Sequence, residues 1–568
     1  MKFFFSVIFA VFFVINCAHA QPLAESPEWH SLLHIRDDNK SDINDPKFFL
    51  SNPFSPENEF NIAISELRSD KKDEMLCRFP ARYRYLNKKL DLNITFDHCT
   101  NLNEFLKDSR GESVSMSFAS SYLGSPISYF GHTFITIHKT NNRFFSQTLS
   151  FAAEIPQEVG FIDLLSKGIR GGFNGKFVAE PYFKLHEGYN IVEQRSLSEY
   201  RLNLTQDEIE NMLWHAYELY DANINYKFFT ENCAYEMLWF LEVARPGLKL
   251  RENFPYAVIP YETINEIKKA GLVMQIDTQP PLINSLHTIY NGFTAEEKDF
   301  FSRWKNSGDK KEELESINLS NETKDKLGYL INGYYDILFK RFHQGKGDFE
   351  DVKQLPYTPP NERYIGEPIR HGSSKIEVGY LQVNGVEGLD LNVRPILFNR
   401  IHDLYSELGD GTLEFLGLEM RRIENKTSLQ SFTLLKIESL TKRFDFYHPV
   451  SWKIYAGADR SLKDSSLQPL VQVGSGVSYG TSSLLWYGMG QATVYPLKMT
   501  AGIEVLAGLS YWNGLSHIGI DFREPVFFTG RKSKGDFEAY FTTPITKKII
   551  FKIWGKNQEA GIRLVLAF

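Results

Sequence analysis

The sequence predicts an α+β chain ending in an antiparallel β-barrel of about 12 strands. Two changes of hydrophobic period carry this reading. Short apolar runs between Gly and Asn turns fill residues 112–200, as in Ser113-Val114-Ser115-Met116-Ser117-Phe118, and read as strands. At Thr205-Gln206-Asp207-Glu208 the period becomes helical. Threonine three residues before glutamate is a capping box, and Ile209, Met212, Leu213, Ala216 and Leu219 follow at helical spacing. From about residue 373 onward the period becomes two, in segments of roughly ten residues.

The N-terminus reads Met1-Lys2, an apolar run from Phe3 to Ile15, then Ala18-His19-Ala20. Charge, apolar core and a small-x-small site in that order predict a secretory signal over 1–20 and a mature chain from Gln21. Cys17 invites a lipoprotein reading, but Asn16 before it is a poor match, and cleavage after Ala20 removes Cys17. Export places the remaining cysteines in an oxidising compartment. Cys77 and Cys99 lie close in one stretch and are expected to pair, in a loop whose closure contributes on the order of 3 kcal/mol.

Residues 21–110 read as a mixed α/β region held by that bridge, 111–283 as the chemically active domain, 284–365 as a helical connector, and 366–568 as the barrel. Thr294-Ala295-Glu296-Glu297-Lys298 and the charged stretch Lys310 to Lys326 suggest a solvated connector, and Leu355-Pro356-Tyr357-Thr358-Pro359-Pro360 a linker. In the barrel, Val471, Val473, Val477 and Tyr479 alternate with Gln472, Gly474, Gly476 and Ser478. Ile503, Val505, Ala507, Leu509 and Tyr511 share one phase, as do Phe537, Ala539 and Phe541, and Ile562, Leu564, Leu566 and Phe568. Leu381 falls one position out of step with Ile376, Val378 and Tyr380. A strand of 9–11 residues with one apolar face suits a bilayer, and a final strand ending in Phe568 resembles the end of bacterial outer-membrane barrels. No apolar run after the signal approaches the ~20 residues of a spanning helix. A net charge of −7 provides no footprint for nucleic acid.

The chemistry is expected at Glu231-Asn232-Cys233-Ala234-Tyr235-Glu236, which places the one unpaired thiol at the start of a short helix. A helix start favours thiolate, and Arg245-Pro246-Gly247 ends that helix. A thiol needs a base. In Tyr129-Phe130-Gly131-His132-Thr133-Phe134-Ile135, His132 stands near the beginning of a Gly-led strand and is the candidate base. Tyr226-Lys227-Phe228-Phe229 reads as packing rather than as substrate contact. The 14 histidines are scattered, no cysteine pair has zinc-like spacing, and Gly171-Gly172-Phe173-Asn174-Gly175 lacks the end of a phosphate loop and reads as a turn near the site. Neither a metal nor a nucleotide cofactor is expected.

Cys77-Arg78-Phe79-Pro80-Ala81-Arg82, Tyr129 to Phe134, Gly171 to Phe177 and Glu231 to Gly247 together resemble the periplasmic domain of the Lnb family of bacterial lipoprotein N-acyltransferases, over roughly residues 75 to 265. More distantly, the order of His and Asn-Cys is similar to permuted papain-like acyltransferases such as lecithin:retinol acyltransferase. The resemblance implies a permuted papain-like thiol acyltransferase fold, with Cys233 attacking a phospholipid ester, His132 handling its proton, and a lipoprotein amine, another lipid or water as acceptor. The Cys233 N–H would serve in an oxyanion hole, with Asn232 a further candidate for orientation or oxyanion binding. His138, Ser150, Gln147 and Ser128 are candidates to orient His132. The named family member carries transmembrane helices after this domain, whereas this chain carries strands, which implies a domain facing the periplasm and anchored in the outer membrane of a Gram-negative bacterium. Two readings compete: a papain-like cell-wall amidase or peptidase on the same pair, and a non-enzymatic barrel with a periplasmic plug or scaffold.

Overall fold

The structure is a computed structural model that describes residues 23–36, 39–121, 130–139, 143–156, 158–307, 319–342, 372–399, 409–460, 466–481, 483–513, 516–529 and 535–568. The signal segment, Cys17, Ser128 and the 355–360 linker lie outside the described residues. Two compact units divide the chain between Pro281 and Leu282.

In the first unit, helices α1 (Pro27–Leu32), α2 (Pro56–Glu66), α3 (Lys72–Arg78), α4 (Pro80–Leu90) and α5 (Thr100–Ser109) precede the sheet. Proline opens α1, α2 and α4, where its missing N–H has no partner to lose, and Ser26 and Ser55 cap the first two. The expected Cys77–Cys99 disulfide is present and ties α3 to the start of α5. This region is not a separate body. Trp29, Leu33, Phe60, Tyr83 and Leu86 share one core with the sheet and helices that follow.

The sheet is antiparallel, in the order β6-β4-β3-β2-β1-β5-β7, built from β1 (Ser113–Ala119), β2 (His132–His138), β3 (Gln147–Glu154), β4 (Phe173–Pro181), β5 (Leu197–Leu202), β6 (Ile224–Tyr226) and β7 (Val273–Gln279). Between strands lie α6 (Phe161–Arg170), α7 (Tyr182–His186), α8 (Gln206–Leu219), α9 (Cys233–Ala244) and α10 (Pro260–Lys269). Alternation sorts the two faces. Val114, Met116, Phe118, Ile135 and Ile137 pack with Ile209 and Met212 of α8 and Met237 and Phe240 of α9. Ala119, Phe134 and Leu197 face the other way, onto Tyr182 of α7 and Tyr189 of the wide helical turn Glu187–Val192. The capping box at Thr205 and Glu208 forms as the sequence predicts.

Arg82 explains one block of the sequence. It is fully buried, bridged to Glu59 of α2 at 3.0 Å and Glu218 of α8 at 2.6 Å, and stacked over Phe48 and Phe79. Three stretches of chain thus meet on one guanidinium whose fixed fork suits such a junction.

The second unit begins with α11 (Leu282–Asn291), α12 (Ala295–Ser307) and α13 (Asn321–Phe342). The expectation of a solvated connector is corrected here. Ile283, Leu286, Phe300, Phe301, Trp304, Leu327 and Leu330 form a core that closes on Phe446 of the barrel, and Tyr290 donates to Asp445 at 3.0 Å.

The barrel comprises β8 (Lys375–Val383), β9 (Val386–Arg394), β10 (Ile396–Asn399), β11 (Gly409–Ile423), then β12 to β19 between Lys426 and Lys556, and β20 (Glu559–Ala567). It closes because β20 pairs with β8, and β9 with β11. β9 and β10 both pair with β11 along successive stretches, interrupted at Pro395, so 13 segments make the 12 positions of the wall. Proline has no N–H for a ladder. Val378, Val473, Ile503, Val505, Leu509, Ile562 and Leu564 face outward and are exposed, while Glu377, Asp390, Gln472, Glu504 and Arg563 are buried inside. Arg563 bridges Asp390 at 2.5 Å and Glu377 at 3.4 Å, and Arg421 reaches Glu559 at 2.9 Å. An apolar exterior around a polar, ion-paired interior is the pattern of a membrane barrel. Leu381 breaks phase because it points inward, where it packs with Tyr540 and Trp554. No described helix is long and apolar enough to cross a membrane, which says nothing of strands.

His34 and His215 face each other in the core of the first unit, Nε2 to Nε2 at 2.9 Å. Burial, and after it neighbouring positive charge, lowers both pKa values, His215 to about 3. Both rings are therefore neutral when folded but protonate near 6.5 when unfolded. Their contribution to stability is full above about pH 6.5 and lost as pH falls toward 3, at up to roughly 1.4 kcal/mol per pH unit for each group. Thermal unfolding of the first unit is expected to drop between pH 6.5 and 4, and His215→Gln should flatten that drop. Equal slopes in the two proteins would contradict this account.

Candidate active site

Cys233 is the first residue of α9, and its neighbour Asn232 fixes it there. The Asn232 Oδ1 accepts from the N–H of Ala234 at 3.0 Å and of Tyr235 at 3.2 Å, while its Nδ2 donates to the carbonyls of Phe228 at 3.0 Å and Val258 at 2.7 Å. The cap thus serves the second and third residues of the helix and leaves the Cys233 N–H to the site. Glu231 closes the approach: it pairs with Arg36 at 2.6 Å and Lys227 at 2.9 Å, and the Lys227 N–H bonds its carbonyl.

The helix start meets the beginning of β2. Among the described residues Cys233 is the one free cysteine, and it is buried, with His132 within hydrogen-bond reach of its sulfur. Burial pushes the thiol up, but the charge and hydrogen bond of His132, the Thr133 N–H and the Tyr226 hydroxyl together pull it down to about 7. The Tyr226 hydroxyl donates to Sγ and accepts from the Cys233 N–H. One turn along α9, burial pushes the Glu236 carboxyl well above its ordinary value, which favours its neutral form.

Gly131 and Gly175 make this approach feasible. At Gly131, φ is 85° and a Cβ would lie 2.5 Å from the Phe118 ring, so Phe130-Gly131-His132 can turn into β2 only with glycine. A Cβ on Gly175 would meet Phe151 at 2.2 Å, and Phe151 stacks on Tyr226 at 5.4 Å. Phe173 pairs with Tyr226 across β4 and β6, and Phe130 packs edge-on to Phe229 at 5.6 Å. Of the glycine-rich block, Gly171 and Gly172 form the expected turn, whereas Phe173 to Gly175 already belong to β4.

The expected partners of His132 fare differently. His138 shares its strand and face, but six extended residues span about 20 Å, so it cannot orient His132. Its Nε2 instead meets Ser115 Oγ at 2.8 Å and Glu199 Oε2 at 3.6 Å. Ser150 is buried on β3 beside Leu149, which pairs with Ile135, and Gln147 pairs with Ile137 further along. Asn232 is committed to the cap and positions Cys233. The rings beside His132 are Tyr189 at 5.7 Å and Phe134 at 6.2 Å, and the Arg195 guanidinium lies over the Tyr189 ring at 4.6 Å. Sequence reasoning missed Tyr226 and Tyr189. The hydroxyl in Tyr226-Lys227-Phe228-Phe229, seven residues before Cys233, was the available signal.

Fold and site together define an exported protein with a thiol–imidazole pair in its periplasmic unit and an outer-membrane-type barrel as its anchor. Residues 101–270 match the Lnb N-terminal periplasmic domain, so the chain carries that domain joined to the barrel. Residues 370–535 match a domain of unknown function (DUF7840), and residues 21–89 another (DUF7843). No curated protein matches the chain. Among solved structures, the KdgM porin is 8% identical with a TM-score of 0.21, covering 34% of this chain and 98% of the porin. An outer membrane channel from Pseudomonas putida F1 is 12% identical with a TM-score of 0.23, covering 39% of this chain and 100% of the channel. Outer membrane phospholipase A from Escherichia coli is 9% identical with a TM-score of 0.23, covering 38% and 95%.

Alkylation of Cys233 by iodoacetamide should show a midpoint near pH 7 in the full-length protein. Tyr226→Phe removes one donor to the thiolate and should raise the midpoint by about one pH unit. An unchanged midpoint would show that the hydroxyl does not support the thiolate.

Proposed function

We propose that the periplasmic unit is a cysteine-dependent acyltransferase that takes an acyl chain from a phospholipid and passes it through a Cys233 thioester to a lipoprotein amine. The observation that carries this reading is the lowered thiol of Cys233, held by His132 and Tyr226 at a helix start, with Phe151 and Phe228 packed on the Tyr226 ring. Aromatic surroundings of this kind suit an acyl chain better than a polar peptide. The Lnb N-terminal periplasmic domain over 101–270 and the membrane anchor agree with a lipid substrate and a lipoprotein acceptor. The layered sheet with cysteine helix and histidine strand supports a permuted papain-like arrangement.

The steps balance as two acyl exchanges. Cys233 transfers its proton to His132, and Sγ attacks the ester carbonyl. The C–O bond breaks, His132 returns the proton to the leaving alkoxide, and lysophospholipid departs. An acceptor amine then gives a proton to His132 and attacks the thioester, which releases the thiolate. The Cys233 N–H binds the oxyanion at each addition in this reading, in competition with its bond to Tyr226. His132 needs no charged partner for this cycle, since its proton passes only to and from the thiol, alkoxide and amine.

Full-length protein in phospholipid vesicles should transfer labelled acyl chains to a lipopeptide with a free N-terminal amine. Cys233→Ala should abolish transfer, and His132→Ala should reduce it at least 100-fold, consistent with loss of a general base. Transfer that survives Cys233→Ala would refute the proposal. Cleavage of peptidoglycan peptides with no action on phospholipid would replace it with an amidase.

A further inference from the structure

On the face of the sheet opposite α8 and α9, three phenylalanines stand exposed. Phe144 is 49% exposed and Phe145 63%, in the short turn Arg143–Phe145 before β3, and Phe183 is 40% exposed on α7. They belong to one surface. The Tyr182 N–H that opens α7 bonds the Ser146 carbonyl at 2.8 Å, and the Phe144 ring packs edge-on to His186 at 5.5 Å. Lys184 is exposed beside Phe183.

This element is fastened where the chain leaves the periplasmic unit for the membrane unit. His186 Nε2 meets Gln279 Nε2 at 2.9 Å, and Asn190 Nδ2 donates to the Pro280 carbonyl at 2.8 Å, just before the division at Pro281 and Leu282. The same element also reaches the reacting groups. Tyr189 packs against His132 at 5.7 Å, and the helical rise from Phe183 to Tyr189 is roughly 9 Å.

We propose that the Phe144, Phe145 and Phe183 face docks on the surface of a phospholipid bilayer and delivers the catalytic pair to its lipid there. Aromatic rings with a nearby cation suit the boundary between headgroups and acyl chains. A bilayer is the occupant because the chain is itself anchored in one and exits the periplasmic unit on this element. The docking stands on the geometry alone, and the delivery of lipid rests on the acyl-transfer reading.

The test uses full-length protein in nanodiscs of phosphatidylethanolamine and phosphatidylglycerol, with a nitroxide on Phe145→Cys in a Cys233→Ala background. The disulfide occupies Cys77 and Cys99, and the expected cleavage after Ala20 removes Cys17, so the label has one target in the mature chain. Tyr220→Cys, exposed at the end of α8, is the control. At Phe145 the label should relax several-fold more with oxygen than with a water-soluble nickel chelate, and at Tyr220 the order should reverse. Equal access of the chelate at both sites would overturn the docking. Protection from both reagents would overturn it in favour of a protein partner. An inserted label in a protein whose Cys233 form transfers no acyl chain would uphold docking and refute acyl transfer alone. In the Cys233 form, Phe144→Ser, Phe145→Ser and Phe183→Ser combined should reduce transfer from bilayer lipid at least 10-fold while leaving iodoacetamide alkylation of Cys233 unchanged, and undiminished transfer would overturn lipid delivery.

Discussion

Asn232 holds the reactive end of α9 with one buried amide that binds four backbone groups. Its oxygen completes the helix start and its nitrogen ties in the two loops on either side, through Phe228 and Val258. A cap of this kind contributes about 1 kcal/mol to a helix, but its geometric effect is larger here. It leaves the Cys233 N–H out of the cap, where the Tyr226 hydroxyl accepts it, and brings Sγ to the first residues of β2. The roles of His132, Thr133 and Tyr226 follow from that placement. β6 is only three residues long, so Tyr226 depends in turn on its pairing with Phe173 and on the missing side chain of Gly175.

Against α9, the N-terminal region and the segment after the helix supply a layer of ion pairs whose carboxylates are buried. Arg36 pairs with Asp42 as well as Glu231, and Trp239 Nε1 reaches Asp42 at 3.4 Å. Arg251 stacks over Trp239 at 3.0 Å and pairs with Glu242 at 2.8 Å. Buried ion pairs add little net stability because desolvation offsets their attraction, yet removing one partner is strongly unfavourable. The layer therefore acts as a register: it admits few arrangements of the 23–48 stretch against α9. Separate family models for 21–89 and 101–270 cover segments that share one core, which fits two pieces that fold as a single unit.

Much of this was legible in the sequence where local physics decides the outcome. The capping box at Thr205, the asparagine before Cys233, and the Pro246-Gly247 stop are local devices, and each does what its residue type favours. The alternation from Val471 to Leu566 marked lipid-facing positions, because a bilayer imposes the same rule on every strand. What failed depended on distance or on long-range packing. Period two places His138 on the face of His132 but says nothing of the 20 Å between them. Phe300, Phe301 and Trp304 lay inside a charged stretch, and only the barrel loop carrying Phe446 reveals what they cover. The phase slip at Leu381 required Tyr540 and Trp554, remote in sequence, to explain it. Tyr226 was hidden by its aromatic neighbours, since packing and chemistry use the same ring.

The chain thus places a poised thiol in a unit tethered to a polar-filled, apolar-walled barrel, and the central claim concerns what that thiol carries. Mixing the full-length protein with phospholipid and measuring its intact mass tests this most directly. The account predicts an added mass equal to one acyl chain, mapped to Cys233 and released by hydroxylamine as a thioester would be. An accessible, alkylatable Cys233 that never gains an acyl group from phospholipid would contradict it.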